Sequence, residues 1–186
     1  MLVCRNQGFA FYHMNKCGGT SIVKMLKDLP GNHSFIQIGE KHVPLSDKYF
    51  NFYGITAYCN IRNPMARLVS MYEYNRQKAQ RTRFKDIDFD TFVVKYWLKR
   101  RENEYKAMHE FLLIDGKLPE AIVLLKLEEC DVLWPEVINH HFNIDIKNVP
   151  RENFTIHDSY KNYFRNSKLM DLIRKKEWWA FKEYDL

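Results

Sequence analysis

Residues Phe9 to Leu29, FAFYHMNKCGGTSIVKMLKDL, constrain the fold more than any other stretch of this 186-residue chain. An apolar run, Phe9 to Met14, has the length and composition of a buried strand. It stops at a polar loop, Asn15 to Ser21, that contains Gly18 and Gly19. Ile22, Val23, Met25, Leu26 and Leu29 then fall on one face at the 3.6-residue period, which predicts a helix packed against the strand. Strand, glycine turn and helix in that order aim free backbone N–H groups at an anion. The first amides of a helix have no partner inside it, and the helix dipole adds partial positive charge there. Thr20 and Ser21 are good N-cap types whose hydroxyls can also donate to an anion, and Lys16 stands just before the glycines. A lone Gly-Gly is most often only a turn. A lysine before it and two hydroxyls after it favour an anion cradle.

The order of these residues narrows the anion. The common triphosphate loop, G-x-x-x-x-G-K-[ST], places its lysine after the glycines, with a hydroxyl beside it for magnesium. Here the lysine comes first, and no GK[ST] occurs anywhere in the chain. The pattern predicts a nucleotide-phosphate binder that works without the Mg-ATP arrangement. A net charge of +6 fits a nucleotide, an acidic glycan or nucleic acid, and does not choose among them. Cys4, Cys17, Cys59 and Cys130 are scattered, with no CxxC pair, and read as free thiols in a reducing compartment. His13, His33, His42 and His140-His141 show no metal-ligand spacing, so no metal is expected.

A second segment supplies more anion chemistry. Tyr53 to Ile61, YGITAYCNI, reads as a buried strand that delivers Arg62 to its carboxyl end. Pro64 suits the first position of a following helix, where its missing N–H costs nothing. Met65 to Arg76 continues that helix, with Leu68, Val69 and Tyr72 on its packing side. Arg62 and Ser70 can converge on one phosphate, the arginine as a bidentate fork and the serine as a hydroxyl donor. Arg67 fits either the same anion or a carboxylate of the fold.

The remaining elements are those of a single α/β domain spanning 1–186. Ser34 to Ile38 alternates as a short strand. His42, in GEKHVPLSDKYF, reads from its residues alone as a surface histidine beside Lys41 and Glu40, in a loop where a histidine, or failing it a carboxylate, is a side-chain type able to act as a base. Asn75 to Lys85 is the densest basic run, a solvated helix end or a grip for an acidic acceptor. Phe89, Phe92, Val93, Tyr96 and Trp97 form a core stripe at helical spacing, and a second helix is expected from Asn103 to Ile114. Ala121 to Leu127 reads as a buried strand parallel to the first. Trp134 to Phe142 reads as a surface helix opened by Pro135. Trp178, Trp179, Phe181 and Tyr184 are expected to cover the core. No apolar run approaches the roughly 20 residues that span a bilayer.

The two segments carry a family resemblance. HMNKCGGTSI resembles the H-[IV]-P-K-[TS]-G-G-T-[ST] segment of sulfotransferases that use 3′-phosphoadenosine-5′-phosphosulfate (PAPS), in their carbohydrate-type, or family 2, branch. CNIRNPMARLVSMY resembles that family's R-[ND]-P-x-x-R-[LF]-x-S-x-[YF] segment, in the same order and at about the same spacing. Asn15 and Cys17 depart from the usual proline and threonine or serine. The resemblance reaches from about Phe9 to the C-terminus. It implies a P-loop-like three-layer fold, with a central, mostly parallel sheet flanked by helices.

The resemblance also implies roles. Lys16, Cys17, Gly18, Gly19, Thr20 and Ser21 would hold the phosphosulfate end of PAPS, and Arg62 and Ser70 its 3′-phosphate. Lys16 would stabilise the leaving phosphate and His42 would take the acceptor's proton, without a metal. The acceptor would be a hydroxyl of a glycan or other small molecule, with no nucleic acid and no membrane span involved. A chain without an anchor fits a cytoplasmic microbial or viral enzyme, or a catalytic domain excised from a Golgi-lumen protein. Two rival classes are weaker. A P-loop kinase lacks its GK[ST] and a clear magnesium-binding aspartate at a strand end. A basic nucleic-acid-binding module lacks a reading motif, its basic residues being dispersed.

Overall fold

The computed structural model describes residues 1–47, 52–77, 84–100, 102–152 and 157–186. In chain order the main elements are β1 (Leu2–Cys4), β2 (Phe9–Tyr12), α1 (Gly19–Lys27), β3 (Ile36–Gln37), β4 (Thr56–Ile61), α2 (Pro64–Gln77), α3 (Phe89–Phe92), α4 (Met108–Leu112), β5 (Ile122–Lys126), α5 (Cys130–Phe142), α6 (Ser167–Lys176) and α7 (Trp178–Glu183). They gather into two compact units, Met1–Arg62 with Phe111–Asn153 and Asn63–Glu110 with Phe154–Leu186. The class is α/β, as the sequence led us to expect. Among the described residues no helix is long and apolar enough to cross a membrane.

The first unit is built on an open five-stranded mixed sheet of order β3-β1-β2-β4-β5. β2, β4 and β5 run parallel, with Tyr12 opposite Cys59 and Ala57 opposite Ile122. β1 is antiparallel to both β2 and β3. Side chains alternate across a strand, so Phe9 and Phe11 of β2 share a face with Tyr58 of β4 and Leu125 of β5. Ile22, Met25 and Leu26 of α1 and Trp134, Val137, Ile138 and Phe142 of α5 close that face into one core. Burying each of the large rings is worth about 2–3 kcal/mol. Asn60, the polar residue on this face of β4, accepts from the Trp134 indole N–H at 2.9 Å, so the core holds a satisfied amide carbonyl. On the opposite face, the Tyr12 hydroxyl donates to the Val43 carbonyl at 2.7 Å and lies 3.4 Å from that of Phe111.

Two expectations here are corrected. Ala121 to Leu127 is an edge strand, not a fully buried one, and Val123 is left exposed. The helix expected from Trp134 begins a full turn earlier, at Cys130, with Pro135 inside it. His141 also does more than line a surface. Its Nδ1 lies 2.8 Å from the Gln7 carbonyl and its Nε2 2.9 Å from the Tyr58 hydroxyl, a pairing that ties α5 to the sheet.

The second unit packs α2, α3, α6 and α7 around Leu68, Val69, Tyr72, Phe92, Trp97, Ile173 and Phe181. The aromatic stripe from Phe89 is core, as expected, and continues from α3 into a wider turn over Val93–Trp97. The continuous helix expected from Asn103 to Ile114 is instead broken at Lys106 and Ala107. Two bonds account for the break: the Lys106 carbonyl accepts from Arg67, and the Ala107 N–H donates to Glu110 as a cap on α4. Trp179 and Phe181 are buried, whereas Trp178 is exposed. Within the basic run, residues 78–83 lie outside the described residues, as do 48–50 of the His42 segment.

Candidate anion site

β2 ends at Tyr12, the loop turns back through Asn15 to Gly18, and α1 opens at Gly19. The loop needs backbone conformations that few residues adopt. Gly18 has φ 72 and Lys16 has φ 61. Glycine adopts that region freely. Among the described residues, the other non-glycine positions with positive φ are His42, Asp115, Asn143 and Asp185. Those are all types enriched there, and lysine is not. A left-handed lysine costs about 1–2 kcal/mol, and strain of this kind gathers at ligand-binding sites.

The two glycines are also required sterically. A Cβ on Gly18 would lie 2.5 Å from a methyl of Leu127, the residue just past β5. A Cβ on Gly19 would overlap the imidazole of His13. Gly19→Ala is therefore expected to destabilise the chain by about 1–3 kcal/mol, the usual cost of overpacking. A urea unfolding midpoint measured against the wild type checks this, and an unchanged midpoint would show that the ring is free to move aside.

The first helical bonds run from the Ser21 and Ile22 amides to the Gly18 carbonyl, at 3.1 and 3.4 Å. Gly19 and Thr20 N–H therefore stand at the open end of α1, where a helix presents donors and partial positive charge. The Thr20 side chain is exposed beside them. Ser21 is buried, and its hydroxyl oxygen accepts from the Glu152 N–H at 2.9 Å, so this side chain also anchors the segment after α5. Cys17 is buried and forms no disulfide.

Arg62 follows the last residue of β4, one parallel strand over from β2. Its guanidinium donates to the Lys16 carbonyl at 3.3 Å, across 46 residues of sequence. The two motif segments thus meet at one place in the first unit. Ser70 belongs to the second unit, where it is buried on α2. That helix starts as expected: Asn63 accepts from the Met65 and Ala66 amides at 3.0 and 3.1 Å, with Pro64 at the first position. Arg67 resolves to the fold, pairing with Glu177 at 2.8 Å with both side chains buried.

His42 is half-buried and its backbone is left-handed, with φ 58. Its ring stands edge-on to that of His13, with centroids 4.5 Å apart and planes at 79°. Burial first, and then the neighbouring His42 and Lys41, push the His13 imidazole down to about 3, so it is neutral around pH 7. His13 is the residue to which sequence reasoning gives no role, although it opens the segment HMNKCGGTSI and is considered as a metal ligand. The signal was available: alternation from Phe9 and Phe11 puts residue 13 on the α1 side of the sheet, under the glycine loop. Comparison with protein-family models, with curated proteins and with solved structures finds no match to this chain.

Proposed function

We propose that the chain is a PAPS-dependent sulfotransferase of P-loop-like three-layer build, moving a sulfuryl group to an acceptor hydroxyl, with a carbohydrate as the acceptor class. The observation that carries this reading is the bond from Arg62 to the Lys16 carbonyl. It joins the two segments that resemble the family, and no local packing rule requires that they meet.

The residues fit a group with two anionic ends. Gly19 and Thr20 N–H stand at the open end of a helix. The Thr20 hydroxyl, the Lys16 ammonium and the Arg62 guanidinium add donors, and each of these cations forms charge-assisted bonds stronger than neutral ones. When bound, PAPS supplies the sulfuryl group. Lys16 and the Gly19 and Thr20 amides at the open end of α1 would take up the negative charge left on its phosphate. His42 would accept the proton of the acceptor hydroxyl. Arg62 is assigned to the 3′-phosphate, the group that sets this nucleotide apart from ATP.

Thermal unfolding in the presence of nucleotides tests the reading. The desulfated product, 3′-phosphoadenosine-5′-phosphate (PAP), is expected to stabilise the chain by about 2.7 kcal/mol at a hundredfold excess over its Kd. Mg-ATP and short DNA are expected to do much less. Arg62→Ala is expected to weaken PAP by roughly 1.5–3 kcal/mol, or about 10- to 150-fold. Unchanged PAP affinity in Arg62→Ala would remove Arg62 from the 3′-phosphate site. Stabilisation by Mg-ATP alone would point to a kinase instead. A screen of hydroxyl acceptors with labelled PAPS then identifies the acceptor.

A further inference from the structure

His13 lies between the loop and the candidate base, and the anion cradle gives it no task. It follows the end of β2 on the same face as Phe11, with the two ring centroids 6.0 Å apart. It is 7% exposed, and its Nδ1 has no hydrogen-bond partner among the described residues. A buried polar atom left unsatisfied costs about 1–3 kcal/mol. Phenylalanine would fill the same space without that cost, so packing alone does not call for a histidine here.

The contacts of His13 run in two directions. One edge of its ring occupies the space that a side chain on Gly19 would need, against the first residue of α1. The ring also meets that of His42, edge to face, at 4.5 Å. The preceding residue holds the same segment by its backbone: the Tyr12 hydroxyl donates to the carbonyl of Val43, next to His42. Two consecutive residues at the end of one strand thus contact the His42–Val43 segment. The charged or titratable groups that act on His13 are His42, Lys41 and the Met1 ammonium. Two imidazoles this close cannot both take a proton without strong repulsion.

We propose that His13 is the positioning residue for His42: its imidazole holds the His42 ring at the start of α1 and sets the pH at which His42 can accept a proton. This rests on the reading of His42 as general base. A purely apolar ring in place of His13 would solvate a charged His42 less well, so its proton affinity would fall.

The test is an NMR titration of the full chain carrying 13C-labelled histidine, from about pH 5 to 9, around the unperturbed histidine value. His42→Asn identifies the His42 signal. In the wild type the His13 signal is expected not to titrate over this range. In His13→Phe the His42 midpoint is expected about half a pH unit lower or more, with His13→Asn restoring it. The acid limb of the kcat profile for PAPS turnover is expected to move down by the same amount, with KM for PAPS within about twofold. A His42 midpoint that coincides in wild type and His13→Phe overturns the proposal, whatever happens to the rate. So does a shifted midpoint with an unmoved acid limb. Where His13→Phe does not fold, His13→Leu takes its place in the same measurement. A His42 midpoint that falls as expected in His13→Phe, in a chain whose wild type turns over no PAPS with any acceptor, leaves the coupling of the two rings standing and removes the sulfotransferase reading instead.

Discussion

Replacing Lys16 with alanine is expected to lower sulfuryl transfer by about 10²–10³-fold, the usual effect of removing one preorganised donor from the place where charge develops. On the proposed reading, PAP binding is expected to weaken far less, because the open helix end, Thr20 and Arg62 would still supply donors to the nucleotide. The difference follows from when the charge appears. A bridging oxygen that becomes a leaving phosphate gains negative charge in the transition state, and only interactions that strengthen there raise kcat. The backbone supports this assignment, since Lys16 is the one left-handed residue, among those described, of a type that avoids that conformation. Single-turnover rates with saturating PAPS, set beside a PAP titration, separate the two effects. Equal losses in rate and affinity would make Lys16 a binding residue only.

The strand–loop–helix build of this segment was legible in the sequence because its cause is local. Apolar run, polar turn and periodic helix all lie within Phe9 to Leu29, and α1 begins within the expected loop, at Gly19. Pro64 as the opening residue of α2 and Arg62 at the tip of β4 were legible for the same reason. The failures share a different cause: in each, a distant partner overrides a local pattern. The stretch from Asn103 breaks because Arg67, far along the chain, needs the Lys106 carbonyl. The apolar run at Ala121 has the composition of a central strand, yet it sits at an edge, and strand order is a property of the whole sheet. The contact of His13 with His42 and Gly19 depends on how the loop folds back over β2, which spacing alone does not fix. Arg67 is not among the failures: the sequence left a carboxylate of the fold open as its partner, and the structure supplies one. The resemblance offers it in the same segment as Arg62 and Ser70, and only the fold shows that its partner is a carboxylate 110 residues away.

That carboxylate gives the largest expected effect on stability. Glu177→Ala is expected to destabilise the second unit by about 3–5 kcal/mol, because it leaves Arg67 charged and buried without a counter-ion. Arg67 is 1% exposed, and its guanidinium bonds Glu177 at 2.8 Å and the Lys106 carbonyl at 3.1 Å. Glu177 also accepts from the Met108 N–H at 3.0 Å, so the same substitution orphans the first amide of α4. Replacing both partners by methionine removes the two charges together and is expected to cost much less than either single change. A double-mutant cycle from urea unfolding, followed by tryptophan fluorescence, measures that coupling. Trp97 and Trp179, in the interior of this unit, contribute to that emission together with Trp134 of the first unit. A Glu177→Ala variant within about 1 kcal/mol of the wild type, the range of an exposed pair, would mean that the two side chains are hydrated rather than enclosed. The break between the turn at Asn103 and α4 would then need another cause.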